Sequence, residues 1–367
     1  LEANRSMIEL PYGSLMVRGK SPSCEICWRG GKLVIFVTGL CSRYSTCFYC
    51  TISPEKRGKD WVFADEIKVK DEAEILREAR LIEAEGAGIT GGEPSLVIDR
   101  VCRYVKILKE NFGKEFDVHL YTNSVGIDLD SLKVLESAGL DEIRFHTWLE
   151  KDWEKIRLAM DFNFRVGAEM PAIPERMYER KLIELAEFLD SIGAHFLNIN
   201  ELEFSEGNRS NLLSKGYGVR TDSGIAVFGS KEVARKVLEY VEKETGIVGY
   251  FCSAEVKELQ VLNRWRRRAK NIVKPYQRVT EQGTLVFGVI RGAHGKLLEF
   301  KELLEKVRSC PFELSENELL VPPEILLEVR SMLLSKELDG EIVEIAPLDC
   351  PFEISRHPIV RNGSQSS

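Results

Sequence analysis

The sequence predicts an α/β fold: a partial (βα)6 barrel of the TIM type followed by a smaller C-terminal α/β domain. Two observations carry this prediction. Six short apolar or β-branched runs alternate with amphipathic stretches between residues 32 and 206, and that cadence breaks after about Asn208. Strands that alternate with helices pair in parallel through right-handed crossovers, which puts active-site groups on loops beyond the carboxyl ends of the strands.

Taken in order, Leu33 to Thr38 reads as a buried strand, and residues 39–53 form a loop that carries three cysteines. An amphipathic helix over Asp71 to Glu85 leads to a strand at Ala87 to Thr90, which runs into Gly91-Gly92-Glu93-Pro94. A helix near Ile98 to Asn111, a strand at Asp117 to Tyr121, a helix near Leu129 to Ser137 and a strand at Glu142 to Phe145 follow. The series closes with a helix at Trp153 to Met160, a strand at Asn163 to Glu169, a helix at Glu175 to Ile192 and a strand at Phe196 to Ile199. Beyond it come helices at Lys231 to Thr245 and Ala254 to Asn271, with a strand near Ile247 to Phe251 between them. A strand at Gly283 to Ile290 and helices near Lys296 to Val307 and Pro323 to Ser335 complete the second domain.

The expected division is therefore a cloning remnant at 1–6 before Met7, an N-terminal extension with a cysteine pair at 7–31, the barrel at 32–206 and the C-terminal domain at 207–367. Hydrophobic residues make up 44% and charged residues 30%, a composition suited to a water-soluble core, and no apolar run is long enough to span a bilayer. With no secretory leader in view, nine cysteines argue for metal or redox chemistry in the cytoplasm over a disulfide framework. A net charge of −7 gives no global attraction to nucleic acid.

The thiols cluster. Cys24 and Cys27 form one pair, Cys47 and Cys50 another, and the pairs stand nineteen residues apart, a spacing that would suit a structural zinc site. An intervening apolar strand and a third thiol, Cys41, fit a zinc ribbon poorly. Three cysteines on one loop can bind three irons of a cubane and leave the fourth open to an exogenous chelator.

The loop Cys41-Ser-Arg-Tyr-Ser-Thr-Cys47-Phe-Tyr-Cys50, together with Gly91-Gly92-Glu93-Pro94 after the next strand, resembles the radical S-adenosylmethionine (SAM) superfamily. The family usually has three residues between its first two cysteines, whereas this chain has five. Phe36-Val-Thr-Gly-Leu-Cys41 and the Cys24, Cys27 pair look more narrowly like an archaeal group described as related to pyruvate formate-lyase activating enzymes. The resemblance implies a 4Fe-4S cluster on Cys41, Cys47 and Cys50, chelation of SAM by the open iron, and an external one-electron reductant. Reductive cleavage then gives a 5′-deoxyadenosyl radical that takes hydrogen from a substrate. It also implies that Gly91, Gly92 and Glu93 line the methionine amine and that Tyr49 lies against the adenine.

Asn123, Arg144 and His146, at the ends of the third and fourth strands, are further candidates for SAM binding. Glu169, Asn198, Asn200 and Glu201 are candidates for substrate or adenosine. Cys24, Cys27 and Cys252 could build an auxiliary iron-sulfur cluster, completed by Cys310, Cys350 or substrate. Cys102 falls on the apolar helix face of Ile98, Val101, Val105 and Leu108 and reads as core. The run Arg264-Trp-Arg-Arg-Arg-Ala-Lys270 could grip RNA, or it could pair with local carboxylates. The expected function is hydrogen abstraction by a radical SAM enzyme from RNA, from the glycine of a protein, or from a peptide or small molecule. A non-catalytic nucleic-acid-binding module stapled by zinc or a cluster is the rival reading.

Overall fold

The computed structural model describes residues 7–308 and 310–361, so the expected remnant at 1–6 lies outside the described residues. The chain forms two compact units, the first reaching Val261 apart from Leu81–Glu83, the second comprising Leu81–Glu83 and the residues from Leu262 onward.

The first unit opens with β1 (Ile8–Glu9), β2 (Leu15–Val17) and α1 (Pro22–Trp28), continues with β3 (Lys32–Phe36), β4 (Phe63–Ala64), β5 (Ile67–Lys68) and α2 (Glu72–Leu81), and then alternates. The alternating elements are β6 (Gly86–Thr90), α3 (Ile98–Phe112), β7 (Asp117–Thr122), α4 (Leu129–Ala138), β8 (Glu142–Phe145), α5 (Trp153–Ala159), β9 (Arg165–Ala172), α6 (Arg176–Ser191) and β10 (Phe196–Glu201). After α7 (Arg209–Ser214) and α8 (Ser230–Glu244) come β11 (Val248–Cys252) and α9 (Ala254–Ile272). All the strands join one sheet ordered β1-β2-β11-β10-β9-β8-β7-β6-β3-β4-β5. From β3 to β11 the pairings are parallel, which gives the partial barrel.

The barrel has one strand more than the sequence predicts. Phe196 to Asn200 of β10 lie in parallel register with Val248 to Cys252, so the strand expected in the second domain is the seventh of the first sheet, and the boundary at 206/207 moves to about 261. The long excursion through α7 and α8 conceals the repeat, but α8 packs Val233, Val237, Leu238 and Val241 inward as any crossover helix does. The N-terminal extension at 7–31 joins the same sheet. Its β2 adds antiparallel to β11, with Met16 opposite Tyr250, and closes that edge of the sheet.

A seven-residue helix, α1, plugs the barrel. Ser21 caps it by accepting from the Cys24 amide at 3.2 Å, and Pro22 supplies a preset φ at its first position. Its side chains enter a polar interior: Ser23 bonds Asp117, Ser21 donates to Glu142 Oε1 at 3.3 Å, and Arg144 donates to Cys24 Sγ at 3.4 Å. Such buried charges persist only when paired. Lys32 bonds Asp117, and Arg165 bonds both Asp117 and Glu142.

Burial pushes the Asp117 carboxyl up, yet Lys32, with Ser23 and Arg165, outweighs burial and pulls it down to about 2. Because the folded value lies below the unfolded ~3.9, its contribution is complete above about pH 4 and is lost as pH falls toward 2. Urea midpoints measured between pH 2.5 and 5 should therefore fall steeply at the acid end, and Asp117→Asn should flatten that slope while lowering the midpoint at pH 5.

The second unit contains β12 (Arg278–Val279), β13 (Leu285–Arg291), α10 (His294–Val307), β14 (Glu313–Leu314), β15 (Glu318–Val321), α11 (Pro323–Glu328), α12 (Arg330–Ser335), β16 (Asp339–Ile345) and β17 (Glu353–Val360). Its sheet runs β14-β15-β13-β16-β17 with β12 beside β13, and every pairing is antiparallel. The three helices bury Leu297, Phe300, Leu304, Leu326 and Leu333 against Ile290, Leu319 and Val321.

Most of the basic run is committed within this unit, while Lys270 is exposed. Arg268 is 1% exposed and bonds the Pro347 carbonyl and Asp349 (2.9 Å), Arg264 is buried, Arg266 donates to Asn263 at 2.6 Å and Arg267 to the Glu83 carbonyl at 2.8 Å. Among the described residues no helix is long and apolar enough to cross a membrane.

Candidate cluster and cofactor site

The three-cysteine loop begins where β3 ends, at the carboxyl mouth of the barrel. It is seated on Gly91 and Gly92: the Gly92 amide donates to the Thr38 carbonyl at 2.7 Å, and the Glu93 amide to the Leu40 carbonyl at 2.7 Å. Gly91 has φ +144, and a Cβ at Gly92 would overlap the Leu40 carbonyl. The glycines thus let two backbones touch directly beneath Cys41.

Other ties hold the loop, and the sequence did not single them out. Arg43 reaches Asp152 (2.6 Å) and Thr147 (3.2 Å), Arg57 donates to the Cys50 carbonyl at 2.9 Å, and buried Asn208 donates to the Tyr49 carbonyl at 3.1 Å. Each is a lone polar residue in an irregular segment, so spacing alone carries no signal for it.

Cys41, Cys47 and Cys50 are half-buried. The sulfur of Cys41 accepts from the Arg43 amide at 3.3 Å and from Asn123 Nδ2 at 3.4 Å, and it lies within electrostatic reach of Cys47 and Cys50. Three soft donors on one anchored loop, with N–H donors already on sulfur, fit an iron-sulfur cluster. Among the described residues no three ligand-type side chains converge tightly enough for a single ion, whereas a cubane takes each thiolate on a separate iron. The zinc pairing of Cys24 and Cys27 with Cys47 and Cys50 is not formed: Cys24 packs with Tyr250, Cys252 and Val256, while Cys47 packs beside Tyr49, Ile173 and Leu202.

Glu93 turns inward. It is fully buried, and its carboxylate accepts from the Ser95 amide (3.0 Å), the Thr122 hydroxyl (2.7 Å) and the Asn123 amide (2.5 Å). It therefore fixes Asn123, which in turn contacts Cys41.

Tyr49 is 8% exposed, with its ring in an apolar cluster beside Ile173, Leu202, Phe204 and Val227. Its hydroxyl accepts from Trp148 Nε1 at 2.9 Å and lies 3.2 Å from His146 Nε2. His146 Nδ1 is 2.7 Å from the Glu169 carbonyl and must carry the proton there, so Nε2 accepts from Tyr49. Burial holds the His146 pKa below its ordinary value, which keeps the ring neutral.

Arg144 and Glu169 lie deeper, joined at 2.7 Å, with Asn198 and Asn200 donating to the same carboxylate at 3.1 and 2.7 Å. Burial pushes Glu169 up, but Arg144 and the two asparagines more than reverse this, so it stays ionised. Arg144 also holds Glu142 (2.6 Å) and Tyr121 (3.0 Å), which commits its guanidinium to the barrel interior. Glu201 stands apart from this group: its carboxylate pairs with Arg220 at 2.7 Å and accepts from the Ala254 amide at 2.8 Å, anchoring the start of α9.

Residues 35–160 match the family model described as the radical SAM superfamily. With a mouth-side loop of three cysteines on a parallel partial barrel, the chain belongs to the radical SAM superfamily and is an enzyme of that class. A protein of Methanocaldococcus jannaschii that bears the provisional name glycyl-radical enzyme activating enzyme MJ0021 is 35% identical over 354 residues, covering 92% of each chain. Similarity also extends to two solved structures, each at 15% identity. Streptococcus suis SuiB bound to precursor peptide SuiA has 53% of its length covered by 68% of this chain, with a TM-score of 0.45. TsrM, a radical S-adenosylmethionine methyltransferase from Kitasatospora setae, has 59% of its length covered by 73% of this chain, with a TM-score of 0.37.

Proposed function

We propose that Cys41, Cys47 and Cys50 hold the 4Fe-4S cluster and that the enzyme abstracts hydrogen from a glycine of a partner protein. When bound, the cluster and SAM supply reductive cleavage of the sulfonium and a radical able to take that hydrogen. The observation that carries the assignment is the seating of the cysteine loop on Gly91 and Gly92, which fixes three thiols at the barrel mouth.

The chain's own part is positioning and exclusion of water. Gly91 and Gly92 border the methionine end of SAM, where the absence of side chains permits close approach. Asn123 steadies Cys41, and Glu93 steadies Asn123. Tyr49 and His146 form a neutral, hydrogen-bonded wall on the adenosine side. Glu169 and Asn200 face the substrate, with Arg144 keeping Glu169 ionised. Glu201 holds the barrel to α9.

The M. jannaschii relative's name supports a protein substrate, and the internal commitments of Arg264, Arg266, Arg267 and Arg268 weigh against RNA. The test is isotopic. The anaerobically reconstituted, reduced enzyme is incubated with SAM and with proteins labelled by α-deuterated glycine. Deuterium should enter 5′-deoxyadenosine. Transfer from deuterated RNA with none from labelled protein would reverse the substrate assignment.

A further inference from the structure

We propose that the barrel interior holds a second iron-sulfur cluster, bound by Cys24, Cys27 and Cys252 and keeping one iron free of protein thiolate. The three thiols come from two distant segments. Cys24 and Cys27 sit on α1, the helix that plugs the barrel, and Cys252 ends β11, the seventh parallel strand. The fold brings them together: Cys24 and Cys252 share one packed cluster with Tyr250 and Val256, and Cys252 lies within electrostatic reach of both Cys24 and Cys27.

Donors and cations already face these sulfurs, although burial, with Glu169 nearby, pushes the bare Cys24 and Cys252 thiols up. Arg144 Nη2 and Asn198 Nδ2 donate to the Cys24 sulfur at 3.4 and 3.3 Å, and Gln260 Nε2 lies 3.9 Å from that of Cys252. Lys257, which acts electrostatically on Cys252, puts a second cation at the site beside Arg144. A cubane with three thiolates carries net negative charge, and N–H donors with nearby cations are what such sulfurs recruit. Buried cysteines that only pack need neither.

Asn198 supplies an independent sign of a missing ligand. It is 1% exposed, donates to Cys24 and Glu169 through Nδ2, and leaves Oδ1 buried without a partner. An unpaired buried acceptor costs about 1–3 kcal/mol. It is accounted for if a ligand with a donor group reaches it. With three cysteines for four irons, the remaining iron is open to such a ligand, and Glu169 bonds both Asn198 and Asn200 alongside.

Iron and sulfide counting tests this without relying on activity. Wild-type protein reconstituted under anaerobic conditions should hold about eight irons, two cubanes' worth. The Cys41→Ala/Cys47→Ala/Cys50→Ala variant and the Cys24→Ser/Cys27→Ser/Cys252→Ser variant should each hold about half. The reduced variants should give two different electron paramagnetic resonance signals. Circular dichroism checks folding, and Cys27→Ser alone, at the half-buried position, provides a milder second variant. An iron-free Cys41/Cys47/Cys50 variant, or zinc without sulfide in its place, overturns the second cluster and leaves the first intact. A Cys24/Cys27/Cys252 variant that loses all iron while its counterpart retains it would instead overturn the assignment of Cys41, Cys47 and Cys50.

Discussion

Replacing any one of Cys41, Cys47 or Cys50 by Ala will lower 5′-deoxyadenosine formation to below about one-thousandth of the wild-type rate, because on the proposed assignment the cluster these three hold carries the cleavage chemistry. Cys102→Ala is the matched control. That thiol is 8% exposed on the core side of α3, away from the loop, so its loss should cost stability without affecting cleavage. The measurement is 5′-deoxyadenosine by mass spectrometry in the presence of SAM and a strong reductant. A Cys50→Ala protein that keeps a tenth of the wild-type rate would remove Cys50 from the ligand set.

Arg144→Met should destabilise the fold by about 3–5 kcal/mol, the scale on which removing one partner leaves a buried charge uncompensated. Arg144 is 4% exposed and ties Glu142, Glu169, Tyr121 and Cys24 together from the centre of the barrel. Glu142 keeps Arg165, whereas Glu169 loses its bonded cation and keeps two amides and the electrostatic influence of Lys257. Without its cation, Glu169 will have a folded pKa above the unfolded value. The sign of its pH dependence then inverts: the penalty is relieved below about pH 4, where the carboxyl protonates in both states, and grows as pH rises. Adding Glu169→Gln should recover part of the loss at pH 7. Urea midpoints of the two variants at pH 4 and pH 7 decide the matter, and equal penalties at both pH values would exclude Glu169 as the cause.

The parts legible in the sequence were those in which local pattern and chemistry agree. Buried strands such as Lys32–Phe36 are nearly all apolar, and three cysteines beside Gly91-Gly92 state their chemistry in the residue types themselves. The roles of single polar residues were harder to read. Glu93 reads as lining an amine, and the bonds its carboxylate also accepts from Thr122 and Asn123 leave no local signal because tertiary packing alone supplies those partners.

On β8 to β10, Arg144, Glu169 and Asn198 read as candidates for SAM, substrate or adenosine from their place at strand ends, whereas their bonds to one another and to Glu142 inside the sheet depend on tertiary packing. In the second unit, β16 and β17 intersperse apolar residues with Glu341, Glu344, Glu353 and Arg356 out of period two, a pattern that does not stand out as strand. The pairing of β2 with β11 leaves no local trace at all, because it joins residues at opposite ends of the first unit.

That last pairing bears on the protein's birth at the ribosome. Met16 and Cys24 emerge long before their neighbours Tyr250 and Cys252, which belong to the last strand of the sheet to be synthesised. Throughout translation of the barrel, the leading segment must wait as an unpaired strand and an unseated helix, which exposes the chain to misassociation and makes final closure a slow, long-range event. The loop at Cys41 can find its seat on Gly91 and Gly92 far earlier. Any cargo enclosed behind α1 would therefore have to be delivered last, or be present when the floor of the barrel shuts.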